Sequence, residues 1–156
     1  MSLYELSVFV HVTAVMVGFG STFAESIMFP VALKVSKRHL PYVHRLQLAI
    51  NQRLASPALG LIILTGIYQT IDGDWGFGSF WISATFLIVI VIGGLLGAYF
   101  IPADRRLAAQ AERELEQTGD VSEDYLRQAR TEGIVGAVAG LLVLAAIFLM
   151  VTKPGA

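Results

Sequence analysis

Charge in this chain is segregated rather than spread. Long stretches carry almost no ionisable side chain, while ten of the eleven Lys and Arg residues fall in two intervening stretches. About 20 apolar residues span the hydrocarbon of a bilayer as an α-helix. Within lipid, every backbone amide and carbonyl has to be satisfied inside such a segment. The pattern predicts an all-α fold, a four-helix transmembrane bundle with spans at about 3–33, 54–71, 80–101 and 133–151. These belong to a single membrane domain, 1–156, with a helical loop at 103–132. The chain is 55% hydrophobic and 15% charged, a larger apolar share than a soluble core of this length needs. Membrane lipid is therefore its expected surrounding, and no nucleic-acid partner is expected.

Orientation follows from the basic residues. Lys34, Lys37, Arg38, Arg45 and Arg53 lie between spans one and two, and Arg105, Arg106, Arg113, Arg127 and Arg130 between spans three and four. The connection from Asp72 to Ser79 has two acids and no base. Short basic loops stay in the cytoplasm, which puts both basic loops inside and the N-terminus and C-terminus outside. Tyr4, Trp75 and Trp81 sit where outer aromatic anchors belong. The segment opening with Met1-Ser2-Leu3 has no basic start and no small-residue cleavage site, so it is expected to be a retained helix and not a signal peptide. There is no cysteine, which excludes disulfides and thiolate metal sites.

Prolines and glycines punctuate the helices. Pro30 is placed to kink or end the first helix, Pro102 to stop the third span, and Lys153-Pro154-Gly155 the fourth. Residues 41–53 read as a surface helix or an extension of span two. Residues 103–117 read as helix, broken at Thr118-Gly119-Asp120, with Ser122 opening the next.

Span one carries the intramembrane ionisable residues. An imidazole or carboxylate in lipid is costly unless partnered, which makes His11 and Glu25 functional candidates. Neutral His is a common metal and haem ligand; a His hydrogen-bonded to a neighbouring helix is the equal alternative. His11, Gly18 and Glu25 recur every seven residues and share a helix face. Small residues on that face admit another helix or a flat ligand. Glu25 is expected to form a structural ion pair with Arg53 at the inner edge, and Tyr68 to help line a site with His11. His39 and His44 lie on a basic stretch with no carboxylate close in sequence, so no metal site is expected there, only a basic surface on anionic lipid.

The segments Phe9-Val10-His11-Val12 with Gly18, Leu64-Thr65-Gly66-Ile67-Tyr68, and Pro102 with Arg105 and Arg106 resemble those of a family of predicted bacterial integral membrane proteins of unassigned function. That family is similar to the copper-resistance D-type membrane proteins and, more distantly, to the membrane protoporphyrinogen oxidases. The resemblance implies a four-helix unit in the bacterial plasma membrane and haem b at His11. The alternative is a non-enzymatic module that packs with itself, as a homo-oligomer, or with a partner subunit through its glycine faces.

Overall fold

The computed structural model describes residues 1–155 and consists of four long helices. They are α1 (Leu3–Val35), α2 (Lys37–Asp72), α3 (Phe80–Thr118) and α4 (Glu123–Thr152), each long and apolar enough to cross a membrane. No strand occurs among the described residues. Two short connections, at Ser36 and at 119–122, lie at one end, here the basic end. The longer connection 73–79 shares the other end with both termini.

Local chemistry sets the helix ends. The Ser2 hydroxyl accepts from the Glu5 amide at 3.1 Å while the Glu5 carboxylate accepts from the Ser2 amide at 2.8 Å, a reciprocal cap on α1. Gly119, at φ 76°, closes α3 in the left-handed region that glycine tolerates. The Ser122 hydroxyl accepts from the Tyr125 amide at 3.1 Å and opens α4. At the opposite end, the Lys153 ammonium lies 4.2 Å from the Trp75 ring centroid, and Trp75 stands edge-on to Trp81 at 5.6 Å. This clasp ties the end of α4 to the 73–79 connection.

Pro102 is not the expected stop, and of the two outcomes expected at Pro30, an end to the helix does not occur. α1 runs through Pro30 to Val35, and α3 runs through Pro102 to Thr118. Proline lacks an N–H and its ring collides with the carbonyl four residues earlier. In α3 the conflict is absorbed by a π turn at Leu96–Phe100, and α2 has a matching π turn at Asn51–Ala55 just before Pro57. Ala55 and Leu96, one from each π turn, pack in the same apolar cluster. The helices therefore continue beyond the spans, and residues 41–53 form an extension of span two.

The two halves of the molecule differ in packing. At the basic end, Leu40, Val43, Leu107, Ala111, Val121 and Tyr125 form a closed core like that of a soluble protein. Toward the other end, large apolar residues such as Phe9, Met16, Leu64, Leu87, Ile90 and Phe148 point outward, as a lipid solvent permits. Here α1 and α2 touch so closely that a Cβ on Gly18 would lie 2.7 Å from the Ala58 Cβ.

Candidate functional site

The largest concentration of buried polar atoms lies at the basic end, between the apolar spans and the closed core. His44 (α2), Asp104 (α3) and Glu132 (α4) are buried, and one donor atom from each lies within 4.8 Å of the others. His44 Nδ1 is 3.9 Å from Asp104 Oδ1 and 3.8 Å from Glu132 Oε2. Each side chain sits on the apolar stripe of its helix, beside Leu40 and Val43, Leu107 and Ala108, and Ala129 respectively. Ordinary helical packing thus forces three polar groups into the interior.

Their outer contacts fix their orientation. His44 Nε2 meets the hydroxyl of Tyr125, itself fully buried, at 2.8 Å. The Asn51 amide, presented by the π turn of α2, donates to Asp104 Oδ2 at 2.9 Å. Phe29 of α1 packs on both the His44 and Tyr125 rings. Held this way, His44 Nδ1 has no hydrogen-bond partner, although it is buried. A buried nitrogen facing two carboxylates with no shared hydrogen bond is costly as it stands.

The cluster opens into a cavity of about 740 Å³ that runs along the bundle between all four helices. Among the described residues, four buried side-chain polar atoms lack a partner: Glu25 Oε1, His44 Nδ1, Gln47 Oε1 and Trp81 Nε1. The first three belong to residues that line this one cavity.

The residues singled out in the sequence are placed differently. Glu25 lines the cavity, whereas Arg53 is exposed, and the expected ion pair between them is not formed. The reason is helical spacing: Asn51 follows His44 by two turns on the buried stripe of α2, and Arg53, two residues on, falls on the surface. His44 is not on a solvated basic surface; 1% of it is exposed, and it meets carboxylates from two other helices. The solvated basic surface expected at His44 is thus replaced by a buried cluster with two acids that lie far away in sequence. His39, by contrast, is exposed. His11 Nδ1 lies 2.8 Å from the Thr65 hydroxyl, and that hydroxyl donates to the Leu61 carbonyl at 2.5 Å. His11 thus makes its side-chain hydrogen bond through Nδ1. His11 lines a second, apolar cavity of about 310 Å³ with Val15, Phe86 and Ala146. Tyr68 is not among the residues lining it, and Gly18 serves close contact between α1 and α2.

Residues 5–154 match the model of a family described as predicted integral membrane protein (DUF2269). The chain belongs to that family. Membership covers nearly the whole sequence and agrees with four helices of spanning length, so this is a multi-pass integral membrane protein. No curated protein matches the chain, and no solved structure does.

Proposed function

We propose that this family member binds a divalent transition-metal ion, Zn²⁺ or a similar ion, through His44 Nδ1, Asp104 and Glu132. The observation that carries the reading is the convergence of three buried donor atoms around a His nitrogen that has no other partner. Metal–ligand distances of about 2.1 Å put tetrahedral donors about 3.4 Å apart. The observed 3.8 and 3.9 Å would need to close by roughly half an ångström, within reach of side-chain torsions. One imidazole and two carboxylates suit zinc, manganese or iron. Tyr125 on Nε2 and Asn51 on Asp104 supply the supporting hydrogen bonds that orient metal ligands. Three protein ligands leave a position open toward the cavity, the arrangement of a site that handles a ligand and not of a purely structural one.

The test is zinc titration of the full chain purified in detergent, followed by calorimetry. One ion per chain is expected, with affinity falling about a hundredfold or more in His44→Ala, Asp104→Ala and Glu132→Ala. Absence of binding by the unaltered chain, or retention in all three variants, would sink the reading.

The positive-inside distribution supports a bacterial plasma-membrane protein with the basic end in the cytoplasm. The chain lacks cysteine, so a single Ser2→Cys or Gly119→Cys variant labelled with an impermeant maleimide tests this. Only the first should react in intact cells.

A second reading is haem b at His11, as a kinship of the family to copper-resistance D-type proteins and membrane protoporphyrinogen oxidases would imply. It is favoured by the Thr65 contact, which leaves Nε2 free as an axial ligand. A Soret band absent from His11→Ala would support it; a colourless protein after expression with added haem would end it.

A further inference from the structure

The metal ligands do not account for the other two orphaned atoms of the cavity. Glu25 Oε1 and Gln47 Oε1 are buried acceptors without a donor, and neither belongs to the three-residue metal set. The wall around them supplies none. The Thr22 and Ser26 hydroxyls donate to carbonyls of their own helix, Phe19 and Phe23, at 2.8 and 2.7 Å. The Asn51 amide is committed to Asp104. Three carboxyl groups, those of Glu25, Asp104 and Glu132, face the cavity. Arg130 also lines it, but on an exposed position at the rim.

Beyond this polar end the cavity is apolar, lined by Leu59, Ile62, Ile92 and Val143. Its wall is incomplete on one side. Phe23 on α1 and Ile134 and Leu141 on α4 line the cavity, yet they are 43%, 61% and 66% exposed. A residue that both lines a cavity and faces outward marks an opening, here between α1 and α4 at the level of the lipid tails.

We infer that the cavity is a binding site for a single-chain amphiphile with a protonated amine head, which reaches it from the membrane between α1 and α4. The ammonium donates to Glu25 Oε1 and Gln47 Oε1, both short of a donor. Phe29, beside His44, offers an aromatic face to the same cation. The chain of the ligand occupies the apolar portion, and the volume of about 740 Å³ lies within the usual range for ligand pockets. The site shares its polar end with the proposed metal centre but does not depend on the ion being there.

The experiment is equilibrium binding of radiolabelled dodecylamine to the full chain in lipid nanodiscs, with empty nanodiscs as the background. Saturable binding is expected, weakened about tenfold or more by Glu25→Gln and less by Gln47→Leu. Both variants keep the three proposed ligands and should still bind one zinc ion per chain. That readout reports that they are folded and separates failure of this site from failure of the metal reading. Dodecanol should compete weakly and dodecanoate not at all. Binding indistinguishable from empty nanodiscs, unchanged binding in both variants, or equal competition by dodecanoate would overturn the inference. So would quantitative disulfide formation between two copies of a Ser26→Cys variant in membranes, because a second chain would then cover the opening.

Discussion

His11 sits between two helices and meets one hydroxyl, whereas His44 sits where four helices converge and faces two carboxylates. One imidazole is half-buried and the other fully buried, and their settings differ in what they demand. The His11–Thr65 contact satisfies one ring nitrogen within a seam of α1 and α2, and the apolar cavity beside it asks nothing further. At His44, Nδ1 remains without a partner while Tyr125, Asn51 and Phe29 hold the cluster rigid. A site whose supports are complete and whose centre is unsatisfied is one organised around something else. The contrast points to the basic end as the chemical end of the molecule.

The contrast breaks most directly at His44. His44→Ala should abolish zinc binding and, by stranding Tyr125 and the facing acids, cost about 2 kcal/mol of stability; calorimetry and thermal unfolding in detergent check the two separately. Tyr125→Phe keeps the ring and removes only the oriented hydroxyl. It should weaken zinc binding by about 10- to 100-fold while leaving the fold intact by circular dichroism. At the other end, Gly18→Val should force α1 from α2 against the Ala58 contact, costing about 1–3 kcal/mol in thermal unfolding with zinc affinity unchanged. Thr65→Val removes the His11 partner and should cost about 0.6 kcal/mol, the usual worth of an interhelical hydrogen bond in a membrane.

The smallest effect belongs to the exposed pair Lys37–Asp120, joined at 2.6 Å across the basic end. The hydrogen bond from Lys37 holds the Asp120 carboxyl below its ordinary range. A carboxyl depressed in the folded state stabilises above its unfolded pKa, about 3.9, and that contribution disappears as pH falls through the lower folded value. Unfolding temperature measured from neutral to acid pH should therefore fall slightly less steeply in Asp120→Asn. An unchanged slope would mean that the pair is already solvent-screened.

The four spans were legible because lipid imposes one simple demand, a long and largely apolar helix, and every span meets it. Glu25 stood out as a carboxyl group within such a helix, but the ion pair expected for it is not formed. The Arg53 pairing rested on depth alone, and helical spacing puts Asn51 and not Arg53 on the inward face of α2. Pro102 was legible as a stop by its chemistry and is not one, because the π turn at Leu96–Phe100 accommodates it. His44 was passed over because its carboxylates come from distant parts of the chain and each looked like ordinary loop charge. A signal did exist. Leu40, Val43, His44, Gln47 and Asn51 follow helical spacing, so His44 and Gln47 lie on the buried stripe of α2. Asp104 with Leu107, Ala108 and Ala111 repeats the pattern in α3. A titratable residue on an apolar stripe outside the span was the mark to follow.

The two π turns also widen their helices without turning them. A regular α-helix advances about 100° per residue, and a π turn takes one more residue over nearly the same rotation. The lipid-facing half of α2 or α3 therefore keeps the bearing of a regular helix relative to the half that carries His44 or Asp104. Deleting one of residues 52–55 would restore a regular helix with His44 still on the cavity side, and the same holds for Leu96–Phe100 and Asp104. Each turn can thus lose its extra residue and keep the site, provided that Asn51, the donor to Asp104, stays.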